Sequence, residues 1–263
     1  MMKQNILDTI VAHKKKEIKA TRRRMPGKIV LKRALKRRDF RSFYRTLKSR
    51  AGRIGIIAEI KRASPSAGRI RADLDAGKQA AAYERGGAAA ISVLTDERFF
   101  CGNLFDLALA KQSTGLPVLR KDFIISDYQV YESAAVGADA VLLIARILKL
   151  SMLKSLLKLT HELGMDALVE VYTKDDIEKV AATDAKIIGI NNRNLETFET
   201  DVGHAGKLKP ECLSDRLIVC ASGIRFKSDI EANLKAGIHY FLIGESLVRS
   251  DNPAAMIQHL INT

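Results

Sequence analysis

The hydrophobic pattern of the chain repeats one unit, in which a helix-period stretch ends at a glycine and a short apolar run follows. Glycine favours the end of a helix because the residue there adopts positive φ, which costs glycine little. Each apolar run is hydrophobic at both odd and even positions, as in strands that a parallel sheet buries on both faces. The unit occurs after Gly87, Gly137, Gly164 and Gly237.

Four further apolar runs complete the pattern, at 54–61, 117–123, 186–193 and 217–224. The eight predicted strands begin near residues 54, 88, 117, 140, 166, 186, 217 and 240. The segments between them have room for one helix each, for example 73–85, 128–136, 150–163 and 229–236. Eight successive strand–helix units predict an α/β fold with a single (β/α)8 TIM barrel. A doubly wound open sheet is the alternative, but no Gly-x-Gly-x-x-Gly follows the first strand.

Residues 1–53 precede the barrel and are predicted to form a basic helical extension. They hold 19 Lys and Arg against 3 Asp and Glu, whereas residues 54–263 hold 25 against 27, so the net charge of +14 belongs to the extension. Two apolar stripes at helical spacing, separated by Pro26 and Gly27, contain Ile6, Ile10 and Ile18, and then Leu31, Leu35, Phe43 and Leu47. The extension is too short for a core of its own, so we expect it to pack on the barrel at 54–263 within the same domain.

Composition and spacing exclude several classes of protein. With 47% apolar and 28% charged residues, the chain has a globular composition. The three cysteines lack Cys-x-x-Cys spacing and the five histidines lack His-Glu-x-x-His spacing, so neither a disulfide framework nor a metal site is expected. No apolar run approaches the ~18 residues of a membrane span, and Asp8 interrupts the N-terminus too early for a signal peptide. We expect a cytoplasmic protein that does not contact a membrane.

Candidate chemistry is concentrated where the predicted strands end. Active sites of such barrels lie at the C-terminal ends of the strands. The polar residues at those positions are Glu59 and Lys61 on strand 1, Lys121 on strand 3, Glu170 on strand 5, and Asn191 and Arg193 on strand 6. Together they indicate an acid–base site that also binds anions. For any single residue, an ordinary buried ion pair, such as Glu59 with Lys61 or Glu170 with Lys121, is an equal alternative.

Two glycine-containing loops are typical of a phosphate site. Ser222 and Gly223 follow strand 7, and Gly244 and Glu245 follow strand 8, which is where barrels bind phosphate through backbone N–H groups. Ser64 in the loop after strand 1 adds a hydroxyl group. Each glycine alone indicates no more than a turn, but the pair favours a phosphate site.

The segment 57–68, which reads IAEIKRASPSAG, resembles the signature of the indole-3-glycerol phosphate synthase family. Further matches follow in the family's order at 92–96, 99–102, 119–124, 170–171, 189–195, 222–224 and 242–246. The stretch 6–17 is also similar to the family's N-terminal helix. The resemblance runs from about residue 5 to the end of the chain.

The resemblance implies an enzyme of tryptophan biosynthesis, a carbon–carbon lyase of the carboxy-lyase type. Its reaction is ring closure of 1-(2-carboxyphenylamino)-1-deoxyribulose 5-phosphate to indole-3-glycerol phosphate, with loss of carbon dioxide and water. The partner is then a small anionic substrate carrying a phosphate and a carboxylate, and we expect no cofactor and no metal. We also expect a monomer or a weak homodimer.

The resemblance further implies catalytic roles for the residues at the strand ends. Lys121 is the general acid that protonates the ketone oxygen, and Glu170 is the general base or acid of the dehydration. Lys61 holds the substrate carboxylate, Glu59 orients the two lysines, and Asn191 supports Glu170. A second cation beside Lys121 is expected to lower its pKa toward useful acidity.

The same resemblance implies the substrate-binding residues. These are Arg193 for the polar groups, Ser64, Ser222, Gly223, Gly244 and Glu245 around the phosphate, and Phe100, Phe123 and Leu142 around the aromatic ring.

The sequence departs from the family at one position, where Ala221 replaces the usual glutamate directly before Ser222. Weaker activity, compensation by Glu59 or Glu245, and an altered substrate are all open. Because the other motif positions are retained, compensation is favoured over an altered substrate.

Two other functions compete. Another phosphate-binding barrel enzyme of the same pathway, similar to phosphoribosylanthranilate isomerase, needs an acid–base pair and the same phosphate loops but leaves Glu59, Lys61 and the loop after them unexplained. The basic extension alone is also typical of nucleic-acid binding. We expect a solvated basic helix face there instead, and no nucleic-acid binding.

Overall fold

The computed structural model describes residues 6–262, and its centre is a closed barrel of eight parallel strands. The strands are β1 Gly55–Ile60, β2 Ala90–Leu94, β3 Val118–Lys121, β4 Ala140–Ile144, β5 Asp166–Val171, β6 Ile187–Asn191, β7 Leu217–Ala221 and β8 Tyr240–Ile243. Successive strands pair with one another, and β8 pairs with β1 to close the barrel, with Gly55 opposite Tyr240. Every predicted strand begins within two residues of an observed one, so the predicted (β/α)8 barrel is confirmed.

Helices follow each strand and cover the outside of the barrel. They are α4 Ala76–Arg85, α5 Glu97–Phe100, α6 Leu104–Ser113, α7 Asp127–Val136, α8 Leu150–Glu162, α9 Lys174–Ala181, α10 His204–Leu208, α11 Lys227–Lys235, α12 Glu245–Arg249 and α13 Pro253–Ile261. The four glycines that predicted helix ends all have positive φ.

Side chains of the strands pack in two separate hydrophobic cores. Ile57, Leu119 and Leu168 belong to a cluster inside the barrel, whereas Ile56 and Val169 belong to the layer between the barrel and its helices. Neighbouring positions of one strand therefore face different cores, and both are apolar. This arrangement is the physical reason for the uninterrupted hydrophobic runs in the sequence.

The N-terminal extension forms three helices, α1 Ile6–Arg24, α2 Gly27–Lys36 and α3 Phe43–Lys48, with the first break at Pro26 as predicted. Phe43 and Leu47 of α3 are fully buried in the inner core of the barrel. The extension therefore packs on the barrel, although the division at residue 53 stays a prediction. Residues 1–5 of the predicted extension lie outside the described residues. None of the helices within 6–262 has the length and apolar character needed to cross a membrane.

The second predicted apolar stripe is wrong at Leu35, which is 55% exposed. In α2 the buried residues are Val30 and Ala34, and this helix packs against α7. Residues four apart share one face of a helix, so burying positions 30 and 34 turns position 35 toward solvent.

A buried carboxylate, Asp139, attaches the linker between α2 and α3 to the barrel. Arg37 donates to it at 2.7 Å and Lys111 at 2.8 Å. The backbone N–H groups of Arg41 and Val118 donate at 3.0 and 2.9 Å. The linker is thus held where β4 begins, at the end of the barrel opposite the strand C-termini.

We predict that Asp139→Asn lowers the free energy of unfolding by about 3 kcal/mol, because it leaves the buried Lys111 ammonium without its anion and leaves Arg37 with only the exposed Asp39. Urea unfolding at pH 7 measures the loss. Asp184→Asn, which changes the same atoms at an exposed position, is the matched control and is expected to stay within ~0.5 kcal/mol of the unsubstituted chain. A loss below 1 kcal/mol in the Asp139 variant would contradict this account.

Candidate active site

One cavity at the C-terminal ends of the strands brings together all fourteen site residues predicted from the sequence. Those residues are Glu59, Lys61, Ser64, Phe100, Lys121, Phe123, Leu142, Glu170, Asn191, Arg193, Ser222, Gly223, Gly244 and Glu245. Including the space open to solvent, the cavity measures about 1030 Å³. It combines charged groups with an apolar wall, as small-molecule sites do.

Glu59 at the end of β1 lies between two lysines. Its Oε1 is 2.8 Å from Nζ of Lys61, and its Oε2 is 3.2 Å from Nζ of Lys121. Burial acts to raise the pKa of Glu59, but the two ammonium groups outweigh burial and lower its pKa to about 2. Glu59 is therefore ionised throughout the neutral range and fixes both lysines.

The pKa of Lys121 is raised, which is opposite to the expectation that a second cation would lower it. Burial does act to lower this pKa, but the carboxylates of Glu59 and Glu170 have the larger combined effect. Since the Glu59 carboxylate lies between Lys61 and Lys121, it offsets the repulsion that the Lys61 ammonium group exerts on Lys121. Lys121 is fully protonated at neutral pH as a result.

Glu170 at the end of β5 is buried and is held by an amide. Its Oε1 accepts a hydrogen bond from Nδ2 of Asn191 at 3.1 Å, while the ion pair of Lys121 is with Glu59. The predicted alternative of a Glu170–Lys121 pair is therefore wrong. Burial raises the pKa of Glu170 in spite of the nearby Lys121 ammonium. The cavity thus presents an ionised carboxylate and a carboxyl group of raised pKa beside one lysine.

Asn191 also organises the following residue, because its Oδ1 accepts a hydrogen bond from the backbone N–H of Arg193 at 3.0 Å. The Arg193 side chain lines the cavity. The Asn191 side chain therefore fixes the position of the Glu170 carboxyl group and of the start of the loop after β6.

The loops after β7 and β8 approach the cavity with their backbones. Ser222 and Gly223 both have positive φ, at 70° and 84°, so two successive residues adopt the left-handed region. A Cβ on Gly223 would meet the Thr200 side chain at 2.6 Å. A Cβ on Gly244 would collide with the Glu59 carboxylate, so this position excludes any larger residue.

Aromatic and aliphatic side chains form the opposite wall of the cavity. The rings of Phe100 and Phe123 lie 6.1 Å apart between centroids, at 38° to each other. Leu142 of β4 lines the same wall. A flat apolar group has room against these rings.

A family model described as indole-3-glycerol phosphate synthase matches residues 7–260. The chain belongs to this family. Named relatives agree with the match, since indole-3-glycerol phosphate synthase of Desulfosudis oleivorans is 51% identical over 98% of this chain and 99% of its own. The enzyme of the same name from Syntrophobacter fumaroxidans is 44% identical, with 97% of each chain covered.

Similarity to solved structures extends to the fold alone. Thiamine phosphate pyrophosphorylase from Pyrococcus furiosus gives a TM-score of 0.58 at 15% identity, with 81% of this chain and 95% of that chain covered. An N-acetylmannosamine-6-phosphate 2-epimerase from Clostridium perfringens gives 0.56 at 16% identity, with 76% and 89% covered. The family match confirms the predicted family, and with it the assignment as a lyase of tryptophan biosynthesis. The same match disfavours the isomerase-like alternative.

Ala221, which the resemblance marks as a departure from the family, lies directly in the cavity. Ala221 is buried, lines the cavity, and pairs with Asn191 of β6 and Leu242 of β8. The methyl group adds no charge beside Asn191 and Glu170.

Residues 6–262 contain no cluster of three His, Cys, Asp or Glu side chains suited to a metal ion.

Sequence reasoning missed several residues of the cavity. Arg225, two residues after Gly223, is exposed and lines the cavity, and the strand-end rule applied one residue further would have found it. Leu195 and Phe198 reach the cavity from the loop after β6. Phe198 has a φ of 62°, and no sequence signal predicts that conformation for a phenylalanine.

We predict that the free energy of unfolding of the Glu170→Gln variant, taken relative to that of the unsubstituted chain at the same pH, increases as pH rises from 4 to 8. Burial raises the folded-state pKa of Glu170 above its ordinary value of 4.5. The stability associated with its protonated form is therefore fully present below about pH 4.5 and is lost as pH rises through the folded pKa, whereas Gln does not ionise. The free energy of unfolding in urea at several pH values measures this difference.

Glu178→Gln, at an exposed position of α9, is the matched control for that series. Its difference from the unsubstituted chain is expected to stay within the ~0.5 kcal/mol typical of surface substitutions at every pH. A pH-independent difference for Glu170→Gln would show that burial does not oppose ionisation of this carboxylate.

Proposed function

We propose that this chain closes the indole ring of indole-3-glycerol phosphate from 1-(2-carboxyphenylamino)-1-deoxyribulose 5-phosphate. The observation that carries the proposal is the Lys61–Glu59–Lys121 cluster, with Glu170 in the same cavity, in a member of the indole-3-glycerol phosphate synthase family. This arrangement supplies a protonated amine, a second cation and a carboxyl group to one substrate.

The substrate spans the cavity from the glycine loops to the aromatic wall. Its phosphate binds at Ser222, Gly223 and Gly244, where backbone approach is closest, with Ser64 and Glu245 at the edge of that site. Its aromatic ring lies against Phe100, Phe123 and Leu142. Lys61 holds the carboxylate, and Arg193 contacts the sugar hydroxyl groups.

Ring closure begins when the aromatic carbon that bears the carboxylate attacks the ketone carbon. Lys121 transfers a proton to the ketone oxygen, which becomes a hydroxyl group, and the new carbon–carbon bond takes its electrons from the aniline ring. A developing alkoxide is a much stronger base than an amine, so the raised pKa of Lys121 does not prevent the transfer. Loss of carbon dioxide then returns the bonding electrons to the ring and restores its aromaticity.

Dehydration completes the product. The hydroxyl group leaves with a proton as water, while a proton is removed from the adjacent carbon to form the double bond of the indole. This step needs one acid and one base, and Lys121 on β3 and Glu170 on β5 supply them from different strands. Burial raises the pKa of Glu170, which brings this carboxyl group closer to the range in which it can both hold and release a proton.

Other expectations from the sequence stay predictions. They are the cytoplasmic location, the monomer or weak homodimer, and the absence of nucleic-acid binding by the basic extension. Part of that extension's charge is engaged with the barrel, since Arg37 pairs with Asp139 and Arg41 donates to the carbonyl of Thr114 at 2.6 Å. These contacts support the expectation of a structural basic segment.

We predict that Lys121→Met and Glu170→Gln each lower kcat by ~10²–10⁴, the usual contribution of a positioned proton donor or acceptor. The measurement is steady-state turnover of the carboxyphenylamino-deoxyribulose phosphate, followed by indole fluorescence, to which this chain adds no tryptophan signal of its own. Lys154→Met, at an exposed position of α8, is the matched control and is expected to keep normal turnover. Near-normal turnover in either first variant would remove that residue from its assigned role.

We predict that Ala221→Glu changes kcat/KM by less than about threefold, because Glu59 and Glu170 already supply the ionised and protonatable carboxyl groups of the cavity. The same fluorescence assay measures the ratio. A gain of tenfold or more would show that the native site operates without an important group, and a large loss would show that the cavity cannot accommodate another anion.

A further inference from the structure

Lys14 of α1 is a lysine with no exposed surface, and it lies at the catalytic end of the barrel. Its Nζ is 2.9 Å from Oδ2 of Asp96, 2.9 Å from Oδ1 of Asp122 and 3.0 Å from Oε1 of Glu17. Asp96 follows β2 and Asp122 follows β3, so a single ammonium group from the extension joins the ends of two neighbouring strands.

Asp96 controls where Phe100 lies. Its Oδ1 accepts a hydrogen bond from the backbone N–H of Phe99 at 2.7 Å and thereby caps α5, the four-residue helix that ends at Phe100. Its carbonyl oxygen accepts from the backbone N–H of Gly102 at 2.9 Å, which fixes the chain beyond that helix. The position of the Phe100 ring therefore follows the position of Asp96.

Asp122 has the same relation to Phe123 and also follows Lys121 directly. Its Oδ1 accepts from the backbone N–H of Phe123 at 2.7 Å, and its Oδ2 accepts from the hydroxyl group of Thr95 at 2.6 Å. Arg120 donates to Oδ2 at 3.0 Å. Asp122 is thus ionised and rigid, and its carboxylate faces that of Asp96 across Lys14.

Without a cation at position 14, the carboxylates of Asp96 and Asp122 would face each other in a buried site. Each is about 2% exposed or less. Asp122 would keep its ion pair with Arg120, but Asp96 would lose its ion pair with Lys14, and like charges repel strongly where water does not screen them. The two strand ends would separate until water entered or a proton was taken up.

We propose that Lys14 is a positioning residue that sets the spacing of the Phe100 and Phe123 rings, and so the slot for the aromatic ring of the substrate. The assignment rests on the proposed function for the identity of that ring. Lys14 does not line the cavity, and it acts through Asp96 and Asp122 alone. This role gives the N-terminal extension a part in substrate recognition.

The test compares Lys14→Met with Lys16→Met, an exposed lysine on the same helix that loses the same charge. Three measurements are made: steady-state kinetics with the substrate, which give kcat and KM, the inhibition constant of inorganic phosphate, and the dissociation constant of N-methylanthranilate by its fluorescence. Lys14→Met is expected to raise KM and the N-methylanthranilate constant by about tenfold or more, because a displacement near 1 Å at a binding site is costly. The phosphate constant is expected to stay within twofold, and Lys16→Met to leave all three unchanged.

A second variant, Asp96→Asn, covers the case in which Lys14→Met does not fold. It keeps the Oδ1 that caps α5 but removes the charge facing Lys14, so the aromatic constants are expected to rise about threefold with phosphate binding unchanged.

Equal weakening of phosphate and N-methylanthranilate binding would overturn the proposal, because a general loss of folded protein has that effect. Identical constants for the Lys14 and Lys16 variants would overturn it as well. If the unsubstituted chain binds N-methylanthranilate but does not turn over the substrate, the proposed function fails while the binding comparison still decides the role of Lys14. If it binds no N-methylanthranilate, the aromatic slot and this inference fall together.

Discussion

The sharing of the Glu59 carboxylate between Lys61 and Lys121 is the interaction on which the site depends. Two ammonium groups in a largely buried cavity repel each other, and an anion between them turns this repulsion into two attractive contacts at 2.8 and 3.2 Å. The shared carboxylate also limits the space available to the loop after β8. A side chain at position 244 would occupy the space of the Glu59 carboxylate, so the loop that receives the phosphate and the group that holds the lysines constrain each other.

The same arrangement, a buried carboxylate that gathers cations, recurs where the extension meets the barrel. Asp139 does this before β4 with Arg37 and Lys111, and Asp122 does it after β3 with Lys14 and Arg120. The net charge of +14 therefore does not describe a uniformly basic surface. Several of its charges are buried against acids of the barrel, which explains how a strongly basic segment packs on a nearly neutral fold.

The barrel could be predicted from the sequence because every strand is apolar on both faces and every such run is bounded by turn residues. The site could be predicted because strand ends converge whatever the details of packing. The residues alone did not decide the partner of Lys121, because they also allowed a pair with Glu170, and only the family resemblance implied that Glu59 orients both lysines. Glu59 and Lys121 lie on β1 and β3, with β2 between them, and only the stagger of the strands brings their side chains together. The predicted direction of the Lys121 pKa shift was wrong because that direction depends on the contact with Glu59. The predicted burial of Leu35 was wrong because hydrophobic periodicity indicates an apolar stripe but not which way the helix turns it toward the core.

The balance of charge in the cavity bears on the one departure from the family. The basic side chains that line the cavity are Lys61, Lys121, Arg193 and Arg225, and the acidic ones are Glu59, Asp122, Glu170 and Glu245. Burial raises the pKa of Glu170, whereas Glu59 is ionised. The cavity therefore has equal numbers of basic and acidic side chains, and the raised pKa of Glu170 shifts this balance toward positive charge, which complements a substrate with a phosphate and a carboxylate. A glutamate at position 221 would shift the balance toward negative charge, and its repulsion with Glu170 would disfavour ionisation of both carboxyl groups. With alanine at position 221, no further carboxylate opposes the binding of an anionic substrate, and the amide of Asn191 holds the Glu170 carboxyl group through its hydrogen bond.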